Sequence, residues 1–153
     1  MKRLTKRYII SSINGLNLSK PIRYERYYIN NNLRIQIKEN IYQKEILDNE
    51  NNIIETKVIS KEEFLKLKED AYSVIIRNSY LLLDNPNISI KEYLGKYKGL
   101  YRVEVSFNTE EDKNKYIKED WMGKEITNSP LAFDKYLSKL SEEEFIKELN
   151  KYL

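Results

Sequence analysis

The stretch "YRVEVSF", residues 101–107, alternates Tyr101, Val103, Val105 and Phe107 with Arg102, Glu104 and Ser106. In a β-strand that period of two puts a guanidinium, a carboxylate and a hydroxyl on one face. The same theme recurs where "LRIQIK" alternates Arg34, Gln36 and Lys38 with Leu33, Ile35 and Ile37, and in the Ser89 and Lys91 of "ISIKEY". Guanidinium and ammonium groups hold anions by charge-assisted hydrogen bonds. A carboxylate among them either neutralises a neighbouring cation or offers oxygens to a hard divalent metal. The chain contains no His and no Cys. It therefore has no imidazole base, no thiolate nucleophile, no disulfide and none of the nitrogen or sulfur ligands of a zinc site. Any chemistry runs on carboxylates, Lys, Arg, Tyr, Ser and Thr.

The elements that would carry these groups are short. "RLTKRYII", "LRIQIK", "IYQKEIL", "NIIETKVI", "VIIRNSYLLL", "ISIKEY" and "YRVEVSF" have the composition of strands, separated by turns such as "INNN", "DNENN" and "DNPN". "YERYY" reads either as a strand exposed on one side or as the mixture of charge and aromatic rings found on RNA-binding surfaces. Helix starts are marked by Ser60 with Glu63, by Asn108 or Thr109 followed by acids, and by Ser141 with Glu144. The pattern predicts an α+β fold: a mainly antiparallel sheet of seven or eight strands with helices packed outside. Such a sheet must manage its edges, and curling into a barrel is one solution. If helices cover the apolar face, Arg34, Gln36, Lys38, Ser89, Lys91, Arg102, Glu104 and Ser106 line a lumen; on an open sheet the same face lies in water.

A chain of 153 residues fits one domain, residues 1–153, large enough to bury a core without covalent staples. The sequence has no run able to span a bilayer, and the expected location is the cytoplasm. The net charge of +3 conceals an asymmetry: residues 1–44 hold ten Lys or Arg against two acids, and residues 109–153 hold eight Lys against eleven acids. A basic N-terminal third suits a polyanion, although a Lys-, Asn- and Ile-rich codon bias produces the same excess.

Residues 99–141, "GLYRVEVSFNTEEDKNKYIKEDWMGKEITNSPLAFDKYLSKLS", resemble the C-terminal half of the CYTH, or triphosphate tunnel metalloenzyme, superfamily. In that family a G-L-x-x-x-E-V-E-F strand is followed by a helix, a W-x-G-x-E-V-T turn and a final helix. The matching residues are Gly99, Leu100, Glu104, Val105 and Phe107, then Trp121, Gly123, Glu125, Ile126 and Thr127. Upstream, "RYYIN", "LRIQ" and "RNSYLL" are similar to the family's Q-G-Y-L, L-R-I-R and K-T-R-Y strands, and "LGKYKGL" falls at its short hairpin. The resemblance spans almost the whole chain and is strongest over residues 88–137. It implies an eight-stranded antiparallel β-barrel tunnel that takes triphosphate-bearing ligands, with Lys and Arg on the phosphates and paired carboxylates on Mg or Mn. Members include inorganic, thiamine and RNA triphosphatases and adenylate cyclases.

The departures fall on the acids. The family's E-x-E-x-K strand aligns with Arg3, Thr5 and Arg7, its E-x-D pair with Ser89 and Lys91, and its E-x-E pair with Glu104 and Ser106. The basic positions are better kept: Arg34 matches the first Arg of L-R-I-R, Lys44 the Lys of a following T-x-K strand within about one residue, and Arg77 the Lys of K-T-R-Y. The resemblance thus implies a phosphate-binding set of Arg7, Arg34, Lys44, Arg77, Lys91 and Arg102, with Arg3 beside them. Glu104, the remnant of a metal-binding pair, is either a counter-ion to Arg102, Lys91 or Arg34 or a ligand of the metal. Trp121 is expected to close one end of the barrel core and Glu125 to cap a turn.

Three functions follow. The first is a tunnel protein that binds a nucleotide or other polyphosphate without efficient turnover and requires no cofactor. The second is a divergent Mg- or Mn-dependent triphosphate hydrolase or cyclase that recruits other acids, such as Glu25, Glu39, Glu45, Glu55 or Glu92. The third is a basic RNA-binding or interaction module on the same fold. In each of these roles a homodimer is compatible and no membrane partner is expected.

Overall fold

The computed structural model describes residues 4–153, so Arg3 lies outside them. Eight strands form one antiparallel sheet: β1 (Thr5–Ile10), β2 (Ile22–Asn30), β3 (Leu33–Lys38), β4 (Ile41–Leu47), β5 (Ile53–Val58), β6 (Ser73–Leu81), β7 (Ile88–Leu94) and β8 (Tyr101–Ser106). Their order across the sheet is β1-β8-β7-β6-β2-β3-β4-β5. The four helices are α1 (Lys61–Lys68), α2 (Glu110–Lys115), α3 (Asp134–Leu137) and α4 (Glu142–Asn150). The Ser60, Thr109 and Ser141 side chains accept from the backbone N–H three residues on, as their spacing predicts, and Ser141 completes a capping box with Glu144. Among the described residues no helix is long and apolar enough to cross a membrane.

Strict alternation predicts a half-buried β3, yet both of its faces are covered. Ile35 packs with Phe64 of α1 on the outside, while Arg34 and Gln36 are buried on the other side. The sheet is curled enough that its polar face is enclosed. One end of the concave face is filled by the C-terminal segment: Leu131, Leu137, Phe145 and Leu149 pack with Ile9, Tyr28, Ile75, Tyr93, Tyr97 and Leu100.

The barrel is not closed by hydrogen bonds, because β1 and β5 are the two ends of the strand order and do not pair. The outer edge of β1 is covered instead by the "GKEIT" segment. Gly123 N–H donates to the Ile9 carbonyl at 2.8 Å, Ile9 N–H to Lys124 at 3.0 Å and Ile126 N–H to Arg7 at 2.8 Å. The Arg7 N–H donates to Thr127 Oγ1 at 3.1 Å. Gly123 is required here by proximity, since a Cβ on it would stand 2.3 Å from the Ile9 carbonyl oxygen. Trp121 accordingly does not close an end of the bore. It packs on the outer cluster of Tyr8, Val103, Val105 and Met122, with its indole N–H donating to Glu119. Glu125 lies exposed in the same edge segment, bridged to Tyr8 of β1.

Candidate anion-binding bore

Six strands each deliver one basic residue to the concave face, β8 adding Glu104 and β4 supplying Glu45. The register is the cause: Arg7 of β1 stands opposite Glu104 of β8, Lys91 of β7 opposite Arg102, and Ser79 of β6 opposite Lys91. Directly opposed residues project to the same side of a sheet. The result is a cavity of about 200 Å³ lined by Arg7, Arg26, Arg34, Arg77, Lys91 and Arg102 together with Glu104, Asp134, Tyr24 and Phe133.

Two carboxylates organise these cations. Glu104 lies 3.1 Å from Arg7 Nη2, 3.3 Å from Arg102 Nη2 and 3.8 Å from Lys91 Nζ. Asp134, at the start of α3, accepts from Arg26 Nη1 at 2.8 Å, Arg77 Nε at 3.0 Å, Arg102 Nη2 at 3.3 Å and the Tyr93 hydroxyl at 2.5 Å. A third pair lies at one side, where Arg34 Nε donates to Glu45 at 2.8 Å and Thr56 Oγ1 supports the other oxygen at 3.2 Å. Aromatic faces carry four guanidiniums: Arg77 over Tyr24 at 4.6 Å, Arg26 over the same ring at 5.3 Å, Arg7 over Phe133 at 4.4 Å and Arg102 over Tyr93 at 5.3 Å.

The protonation states follow from burial and charge. Burial alone would raise the carboxyl of Asp134, but Arg77, Arg102 and Arg26, with the Tyr93 hydrogen bond, hold it well below the ordinary range. Glu104, half-buried, is driven down by Arg102, Lys91 and Arg7 against the opposing effect of its desolvation. Lys91 goes the other way. Burial lowers its ammonium to about 7, reinforced by Arg77, Arg102 and Arg26 against the opposing pull of Glu104. Its Nζ donates to Ser79 Oγ at 2.6 Å. Two buried guanidinium N–H groups of the lining, Arg77 Nη1 and Arg102 Nε, have no hydrogen-bond acceptor among the described residues.

No family model and no curated protein matches this sequence. Solved structures do. The chain is similar to the crystal structure of the inorganic triphosphatase NE1496, with a TM-score of 0.70 and 18% identity over 88% of this chain and 95% of that one. A second structure, the hypothetical protein NE1496, gives a TM-score of 0.73 and 17% identity over 92% and 99%. The fold is the triphosphate tunnel. At such identities the likeness is one of fold, and the tunnel's contents are read from this chain's own residues.

Of the residues expected in the tunnel, Arg7, Arg34, Arg77, Lys91, Arg102 and Glu104 are brought together. Lys44 is not. It stands opposite Ile35, whose side chain faces α1, and its Nζ lies 4.0 Å from Glu63 of that helix. The tunnel-facing residues of β4 are its neighbours, as Gln43 accepts from Gln36 and Glu45 from Arg34. A one-residue slip in a strand exchanges the faces, which is the size of the error made on Lys44. Glu104 lies within ion-pair distance of Arg102, Lys91 and Arg7, whereas Arg34 is paired with Glu45.

Two tunnel residues escape sequence reasoning. Arg26 sits in "YERYY", where both alternating sets mix charge with aromatic rings, so period two does not say which faces inward. Asp134 lies in "PLAFDKYL", on no strand; the only local signal is an acid beside an apolar run. Of the other candidate carboxylates, Glu45 faces the tunnel and is paired with Arg34, while the rest lie elsewhere: Glu25 accepts from Tyr27, Glu92 from Asn78 and Tyr80, Glu39 stands in a turn at φ 56°, and Glu55 is exposed on β5. Among the described residues no three His, Cys, Asp or Glu side chains converge as a cation site.

Proposed function

We propose that the tunnel binds a linear phosphate chain, either inorganic triphosphate or polyphosphate or the phosphate portion of a nucleotide, through Arg7, Arg26, Arg34, Arg77, Lys91 and Arg102, without efficient metal-dependent turnover. One observation carries the reading: among the described residues six basic side chains line a single cavity with the carboxylates of Glu104 and Asp134, and Glu45 at its side is taken up by Arg34. Confined like charges repel unless an anion joins them. Arg77 Nη1 and Arg102 Nε are buried donors with no acceptor among the described residues, and such groups are costly to leave unmatched. The cavity, at about 200 Å³, is smaller than the ~300–1,000 Å³ typical of drug-sized ligands. That suits phosphates inside, with any organic portion beyond the mouth. The structurally similar NE1496, described as an inorganic triphosphatase, is consistent with a ligand of this class.

The donor set does not fit a divalent cation. Magnesium takes one or two free carboxylates plus phosphate oxygens in octahedral array. Glu104 and Asp134 are separated by the Arg102 guanidinium, which contacts both at 3.3 Å, and each carboxylate is further engaged by other cations. Direct guanidinium contacts neutralise phosphate charge here, in the way a metal otherwise would.

Titration calorimetry with tripolyphosphate in EDTA tests binding, and phosphate release with Mg and with Mn tests turnover. Binding that persists under chelator with no release above background supports the reading. Metal-dependent release abolished by Glu104→Gln would establish the hydrolase instead, with Glu104 as its ligand.

A further inference from the structure

The two ends of the sheet are treated differently. The edge of β1 is covered by the chain's own residues 123–127, whereas β5 bonds only to β4, and among the described residues no other backbone hydrogen bond joins Ile53–Val58 to another segment. All six residues of β5 are exposed, with Ile54 at 65% and Val58 at 66%. An uncovered apolar edge is a template for another strand.

Lysine on an edge normally prevents that pairing, and Lys57 occupies such a place. Its charge is matched two residues away by Glu55. The two stand opposite Lys44 and Ile46 of β4, so they share one face. Neither has an ion-pair partner among the described residues; the nearby Lys44 is the one that reaches Glu63. Lys57 is therefore beside a like charge within its own sheet, an unfavourable cross-strand arrangement that an added carboxylate would relieve.

We propose that β5 pairs antiparallel with β5 of a second copy of this chain about a two-fold axis at Thr56. Glu55 then faces Lys57 of the second copy, Lys57 faces its Glu55, and Ile54 and Val58 meet across the seam. The register is selected by charge. An axis at Glu55 would set carboxylate against carboxylate, and an axis at Lys57 would set ammonium against ammonium. The contact is isologous, as two-fold homodimers require. A single six-residue strand pair buries less than the ~1,200 Å² of stable interfaces, so the dimer is weak and concentration-dependent.

Sedimentation velocity on the full chain from micromolar to millimolar concentration tests this. The wild type shows a reversible monomer–dimer equilibrium that weakens with added salt. Glu55→Lys and Lys57→Glu each weaken association by roughly tenfold or more, since each converts two attractive pairs into two repulsive ones. The double exchange Glu55→Lys with Lys57→Glu restores association to the wild-type range. Unchanged melting temperatures in all three variants show that the edge is intact, and unchanged tripolyphosphate binding separates this surface from the tunnel. A chain that stays monomeric across the range, or a dimer indifferent to the single reversals, overturns the proposal.

Discussion

Arg102 of β8 reaches Asp134 of α3 at 3.3 Å, tying the wall of the tunnel to the segment that fills one of its ends. Through the same Nη2 atom Arg102 also meets Glu104. The pairing places a permanent cation between two carboxylates, and it places a protein carboxylate where three guanidiniums and a tyrosine hydroxyl meet. The consequences are testable.

Arg77→Ala should weaken tripolyphosphate binding by about 10- to 100-fold, the loss expected for one charged hydrogen-bonding group, and by more than any single Glu substitution. Arg77 is a cleaner probe than Arg34, because Asp134 keeps Arg26 and Arg102 when Arg77 is lost. Arg34→Ala strands the buried Glu45, a loss of roughly 3–5 kcal/mol in such pairs. Calorimetry on both variants, with melting curves alongside, checks the order. A larger effect from Glu104→Gln than from Arg77→Ala would reverse the assigned roles.

Asp134→Asn should tighten tripolyphosphate binding while lowering stability. The resident negative charge competes with the ligand for Arg26, Arg77 and Arg102, but it also holds those cations in place. Since the folded carboxyl titrates well below its unfolded value near 3.9, its contribution is fully present above about pH 4 and is lost as acid protonates the folded form. Wild type should therefore lose stability more steeply than Asp134→Asn below that pH in urea titrations. Equal slopes would show that Asp134 is not held ionised.

Lys91 predicts proton uptake. With its ammonium lowered to about 7, an incoming phosphate anion restores the proton, so binding near neutrality should consume protons and weaken as pH rises through that value. Calorimetry in buffers of different ionisation enthalpy measures the uptake. Lys91→Arg should remove the component that belongs to the chain rather than to the phosphate. In the free protein the sign is the opposite: between about 7 and ~10.4 the unfolded chain holds a proton that the folded chain has lost, so this contribution to stability rises with pH.

Gly123→Ala should destabilise the chain by about 1–3 kcal/mol, the usual range for forcing an extra carbon into a closed contact. The Cβ would meet the Ile9 carbonyl at 2.3 Å and lift the covering segment from β1. Denaturant unfolding gives the magnitude. An unchanged midpoint would mean that the segment contributes nothing to holding the edge.

Much of this architecture is local and so was legible in the residue order. Period-two alternation marks β3 and β8 and puts Arg102 and Glu104 on one face, because successive side chains in a strand must point to opposite sides. Ser60, Thr109 and Ser141 mark helix starts through hydrogen bonds that span three residues. What needed the folded chain is everything that depends on partners distant in sequence. Lys44 turned outward because its register against Ile35 is a matter of cross-strand pairing. Asp134 entered the tunnel because apolar packing of the C-terminal segment carries it there, 57 residues along the chain from Arg77. The uncovered edge of β5, and the covering of β1 by residues 123–127, arise where the curled sheet's two ends fail to meet, and no spacing along a strand encodes that gap.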